Sequence, residues 1–168
     1  MARTLAERLD FVEKSSVFSL NLMRPLKEGS LKNKVIGSAV TGYSIQLNNL
    51  SYRGIWVSTF EDIQLTVDGE PVPKHNMVFR LGALCIPIDD LGGHSEVFWG
   101  ATDVVSLDVY QVGGLSAGEH HVAITIKRRN DFGHSVGDGS DGPYDPIPID
   151  FLPLLITDDA VFVLPAER

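Results

Sequence analysis

The sequence predicts an all-β protein, an antiparallel β-sandwich or flattened barrel, with a short N-terminal helix and one long Gly/Asp/Pro-rich loop. Three observations predict it. Eight or nine short runs of alternating or β-branched residues follow one another along the 168 residues. Turn signals separate these runs. No strand–helix–strand rhythm occurs, which argues against a parallel sheet.

The elements follow in order. In TLAERLDFVEK, Leu5, Leu9 and Val12 recur at helical spacing, and Thr4 with Glu7 has the form of a capping box. This predicts a helical segment within residues 1–14. SVFSLNLM alternates as a strand, RPLKEGSLKNK reads as a polar linker, and VIGSAVTGYSIQLNNL is rich in strand formers. In IQLTVDGEPVP, Ile63, Leu65 and Val67 share one face, and Asp68-Gly69 supplies the positive-φ residues of a two-residue hairpin loop. NMVFRLG, ALCIPID, VVSLDVYQV, HHVAITIKRR and AVFVL complete the strands, with GGLSAGEH as a glycine-rich turn. Residues 130–153 have no period and carry Pro143, Pro146, Pro148 and Pro153, so a long extended loop is expected there. The length fits one domain, residues 1–168.

Composition narrows the function. The net charge is −8. Residues 130–168 hold eight acids against Arg168 alone, while the first 129 residues hold fourteen acids and thirteen bases. This distribution offers no basic face to a phosphate backbone, so no nucleic-acid partner is expected. No apolar run is long enough to span a bilayer, and MARTLAERLDFVEKSS lacks the apolar core of a signal peptide. The lone Cys85 has no partner for an intrachain disulfide. A cytoplasmic protein with no membrane association is the expectation.

No complete catalytic constellation emerges. The histidines are His75, His94, His120, His121 and His134. His120 and His121 are adjacent on a predicted strand, so they point to opposite faces and cannot share one metal ion. The run DGSDGPYD fails the calcium-loop pattern, because Gly142 and Ile149 stand where ligands are needed. Cys85 lies in the apolar run LCIPI and reads as an inert core residue. Glu61-Asp62 and Asp89-Asp90 are read as adjacent strand residues facing opposite ways, not as acid/base couples. No catalytic and no metal-binding residue is assigned to this chain, and an independent hydrolase finds no support.

One block carries a resemblance. SYRGIWVSTFEDIQLTVDGEPVP is followed, after a spacer, by HSEVFWGATDVVSLDVYQVGGLSAGEHHVAITI. This order resembles the β (small) subunits of bacterial C-glycoside deglycosidases, over roughly residues 44–127. The resemblance implies a heteromer, with a higher hetero-oligomer open. The α subunit would be a sugar-isomerase-like TIM barrel holding a divalent metal, often manganese, and the main acid/base residues. The complex would be a carbon–carbon lyase acting on 3-oxo-C-glycosides of flavonoid or anthraquinone type. A base removes the C2 proton acidified by the 3-oxo group, and the aglycone then leaves. The β subunit would be an accessory β-sandwich, inactive alone. A reading from a different class also stands, a non-catalytic carbohydrate-binding or scaffold β-sandwich.

The stretch YRGIWVSTFED holds the candidate contact residues. Ile55 and Val57 are expected in the core. Tyr52, Arg53 and Trp56 are expected on a docking surface near the α-subunit active site, because these residue types are enriched at interface hot spots. Gly54 would admit a close backbone approach. Trp99 shares the aromatic character but is equally a core candidate. His120 is expected to cap its turn or to reach the partner. In the long loop, His134 and Tyr144 are the interface or substrate-proximal candidates, on a segment that would drape over the partner or act as a lid.

Overall fold

A computed structural model describes residues 24–51, 54–129 and 153–166. The helix expected near the N-terminus, the strand expected at 16–23 and the loop expected at 130–153, apart from Pro153, lie outside the described residues. So do Tyr52, Arg53, His134 and Tyr144.

The described residues form eleven strands. Five make one antiparallel sheet: β1 (Lys32–Ile36), β2 (Ala39–Leu47), β9 (Val105–Tyr110), β6 (Met77–Leu81) and β7 (Leu84–Pro87), in that spatial order. Four make a second antiparallel sheet, in the order β11 (Pro153–Leu164), β10 (Gly118–Arg129), β4 (Phe60–Val67), β5 (Glu70–Pro71). A two-stranded ribbon, β3 (Ile55–Trp56) with β8 (Phe98–Trp99), belongs to neither. Among the described residues the sheets stay open and no barrel closes, which fits the sandwich of the two expected architectures. Among the described residues no helix is long and apolar enough to cross a membrane.

Alternation builds the core. Ile63, Leu65 and Val67 of β4 and Val122, Ile124 and Ile126 of β10 are buried, as the period of two requires. Tyr43, Ile45 and Leu47 of β2 and Val105, Leu107 and Val109 of β9 bury from the opposing sheet, and all join one cluster. The Asp68-Gly69 hairpin forms as its sequence predicts. Val67 pairs with Glu70, and both loop residues have positive φ, 52° and 82°.

Several expectations are corrected. The end of the polar linker is strand β1, which turns through Gly37-Ser38 into β2. Strand β4 begins at Phe60, three residues earlier than expected. Ile88–Gly93 is a 3-10 turn, so Asp89 and Asp90 sit on a turn rather than a strand. Cys85 is exposed on edge strand β7, not buried. In β7 it is Ile86 that faces the core, and alternation turns Cys85 outward.

The last strand runs twelve residues, not the five of AVFVL. Asp158 interrupts its apolar alternation from the core-facing register, between Ile156 and Phe162. Its carboxylate is satisfied there. Arg24 Nε donates to Oδ1 at 3.0 Å and the Leu26 backbone N–H donates to Oδ2 at 3.1 Å. Arg24 also donates to the Asp159 carbonyl at 2.7 Å. Leu26 bridges to Leu47 of β2, so this short segment ties the edge of one sheet to the other.

The outer face of the five-stranded sheet holds a second buried acid. Asp108 is 1% exposed, between Lys34 and Arg80. Arg80 Nε donates to it at 2.7 Å, Ser106 Oγ at 3.1 Å, and Lys34 Nζ also donates. Burial alone would raise this carboxyl, but the Arg80 and Lys34 hydrogen bonds outweigh it and hold its pKa below the ordinary value. Its contacts are met within the sheet, so it reads as structural.

Candidate docking surface

YRGIWVSTFED is not one strand. Ile55-Trp56 pairs with Phe98-Trp99, Val57–Thr59 forms a single 3-10 turn, and β4 then starts. Thr59 Oγ1 donates to the Trp56 carbonyl at 2.6 Å and holds the turn. Ile55 and Val57 are fully buried, as expected, and Trp56 between them is turned outward, 45% exposed.

Trp56 faces Phe98 directly across the ribbon. The ring centroids are 4.9 Å apart at an interplanar angle of 61°, an edge-to-face contact. Phe98 is 41% exposed, so two adjacent aromatics stand in solvent. Their partners in the ribbon do the reverse. Trp99 is buried against Phe60 and Phe79, with ring centroids 6.4 and 5.8 Å away. Its indole N–H donates to the Asp103 carbonyl at 3.0 Å. Asn49 Nδ2 donates to the Trp99 carbonyl at 3.1 Å. Of its two candidate roles, Trp99 takes the core one.

Gly54 makes the close approach expected of it, but toward its own chain. Its φ is +89°, and a Cβ would lie 2.6 Å from Phe98 Cζ and from the Trp99 carbonyl oxygen. Beside the ridge is a cleft of about 400 Å³ lined by Ser58, Glu61, Asp89 and Arg129, among others. Arg129 donates to the Ser58 carbonyl at 3.0 Å.

His120 lies elsewhere. Strand β4 runs from the ridge end at Phe60 to the hairpin end at Val67, and His120 sits beyond Val67, roughly 25 Å from the ridge end along the strand. It is buried. Nε2 donates to the Ser116 carbonyl at 2.8 Å, and Nδ1 stands 2.7 Å from Asp68 Oδ2. A carbonyl and a carboxylate only accept, so this pair of contacts favours the doubly protonated ring. The Ser116 bond first, and Asp68 second, hold its pKa above the ordinary value. The His120 bond and the His121 backbone N–H hold Asp68 below its own. His121 points away, with Nε2 3.2 Å from Asp159 Oδ2.

The structure therefore does not bring Trp56 and His120 together. Phe98 was missed by the sequence reading, although FWG places an aromatic beside Trp99. The histidines are expected to lack any His-x-Glu spacing, but His94-Ser95-Glu96 is one, with Nδ1 and Oε1 3.0 Å apart. The pair stands alone, since among the described residues no three His, Cys, Asp or Glu gather to hold a metal.

A family model described as C-glycoside deglycosidase beta subunit matches residues 23–132. The C-glycoside deglycosidase beta subunit of Eubacterium cellulosolvens is 26% identical over 81 residues, which is 48% of this chain and 55% of that relative. The chain thus spans about half the length of that curated relative. The family match covers well over half of the 168 residues, and the chain belongs to the C-glycoside deglycosidase beta subunit family.

Proposed function

We propose that this chain is the accessory β subunit of a heteromeric C-glycoside deglycosidase and docks on its α subunit through the Trp56–Phe98 ridge. The observation that carries the reading is the ridge itself. Two large aromatics are held in solvent by a ribbon whose other face is anchored in the core. Leaving them hydrated is unfavourable unless a partner covers them. Tyr52 and Arg53 adjoin the ridge in sequence and belong to the same proposed surface.

The work of the complex divides accordingly. The divalent metal, manganese in this reading, and the principal acid/base residues belong to the α subunit, a TIM barrel of sugar-isomerase type. The metal would stabilise the enolate formed when the C2 proton of a 3-oxo-C-glycoside is removed. The aglycone, flavonoid or anthraquinone in type, leaves by elimination. This chain contributes shape and stability to that site, in the cytoplasm, and no catalytic group.

Co-expression with the candidate α subunit tests the reading. The purified material is assayed for aglycone release from a 3-oxo-C-glycoside, with each chain alone, with both, and with both plus a chelator. Release that needs both chains and is lost on chelation supports it. Release by one chain alone, or by no mixture, overturns it.

A further inference from the structure

At the end of the sandwich opposite the ridge, a cleft of about 360 Å³ opens between the two sheets. Tyr43 of β2 and Val109 of β9 line it from one sheet, and Val67, Asp68 and Glu70 from the other. Asn76 and Gln111 complete its polar wall. Tyr43 is 1% exposed, and its ring packs in the core. Its hydroxyl makes no hydrogen bond among the described residues and is open to the cleft rather than sealed in the core. An unpartnered hydroxyl at the floor of a cleft is positioned for a ligand. Burial first, and the nearby Asp68 charge second, push Tyr43 up to about 12, so it remains a neutral phenol able to donate and accept.

The other polar groups define the ligand. The Asn76 side-chain amide and the Glu70 carboxylate have no side-chain partner among the described residues. Gln111 uses one N–H of Nε2 on the Gly114 carbonyl at 2.9 Å, which leaves the other to donate and Oε1 to accept. Asp68 is compensated by His120 and the His121 N–H, so it adds little free charge. What remains is three groups that both donate and accept, Tyr43, Asn76 and Gln111, with the Glu70 carboxylate as an acceptor, over walls of valine and proline. A phosphate or carboxylate would be repelled by Glu70. One exposed carboxylate is too few for a metal ion. Several neutral hydroxyls on a compact ring suit the set, with C–H edges against Val72 and Pro71. The size is at the small end for ligand clefts.

We propose that this cleft binds a single neutral pyranose, with the Tyr43 hydroxyl, Glu70, Asn76 and Gln111 bonding its hydroxyls. The site is separate from the docking ridge and does not depend on the subunit reading, because the chain can be tested without a partner.

The test is ligand-observed saturation-transfer NMR on the full chain, with the methyl glycosides of glucose, galactose and mannose. Methylammonium serves as the cationic counter-probe. At least one sugar should receive saturation, with Tyr43→Phe weakening it about fivefold, the loss of one hydrogen bond. Glu70→Gln should weaken it too, and neither variant should change the melting temperature, since both groups are unpartnered in the fold. Saturation of no sugar, wild-type sugar binding by Tyr43→Phe, or displacement of the sugar by methylammonium would overturn the proposal.

Discussion

His120 Nδ1 and Asp68 Oδ2 stand 2.7 Å apart across 52 residues of sequence, and this contact joins two turns. Asp68 opens the β4–β5 hairpin loop. His120 carries the bond onward to Ser116 in the turn that precedes β10. The backbone reinforces the link, with Asp68 N donating to the His121 carbonyl and His121 N to Asp68 Oδ1, each at 2.8 Å.

A pH dependence follows. The folded pKa of His120 is raised above 6.5, so its stabilisation is complete below pH 6.5 and is lost as pH rises through the raised value. The folded pKa of Asp68 is lowered below 3.8, so its contribution is complete above pH 3.8 and is lost as pH falls through the lowered value. The pair thus stabilises fully between these limits. Thermal unfolding of wild type and His120→Gln should differ most in that window, by about 2 kcal/mol for a buried group that loses both bonds. The two curves should converge toward alkaline pH. A difference independent of pH would remove the imidazolium from the account.

Arg24 and Asp158 contribute unequally. Arg24 is largely exposed, whereas the Asp158 side chain is only 6% exposed and also accepts the Leu26 N–H. Arg24→Ala should cost less than about 1 kcal/mol. Asp158→Ala should cost about 1–3 kcal/mol, because it strands a backbone donor as well. Urea denaturation of both variants measures the difference, and equal losses would show that the ion pair alone matters.

Gly54→Ala should be among the most damaging small substitutions. Its methyl would meet Phe98 and the Trp99 carbonyl at 2.6 Å, at a φ that L-residues avoid. The expected loss exceeds about 1 kcal/mol. It should appear as a shift in Trp fluorescence at lower denaturant, since both ribbon tryptophans lie beside the clash. An unshifted midpoint would mean the ribbon can relax outward at no cost.

The parts that sequence made legible are those governed by local rules. Asp-Gly between alternating runs specified the β4–β5 hairpin, and the period of two placed Ile63, Leu65, Ile124 and Ile126 in the core. The opposite orientations of His120 and His121 followed from the same period. What escaped depends on residues distant in sequence. An inward Asp158 broke the pattern of β11, and it is explained by Arg24 and the Leu26 N–H, 134 and 132 residues away. Cys85 has apolar neighbours, yet alternation against inward Ile86 on an edge strand turns it outward. Within the candidate surface, Trp56 was singled out by residue type. Phe98 could be recognised only once the β3–β8 pairing placed it opposite, and Tyr43 only once both sheets were assembled around its hydroxyl.

The most direct test of the docking account is a binding titration between this chain and its proposed α subunit, comparing wild type with Trp56→Ala and Phe98→Ala. Each variant should stay folded with only a modest fall in melting temperature, since what it loses in the fold is mainly the ring–ring contact. Each should weaken association by at least 2 kcal/mol, about thirtyfold, as expected of aromatic hot spots. Wild-type affinity in both variants would contradict the account and send the search for the interface to another face of the sandwich.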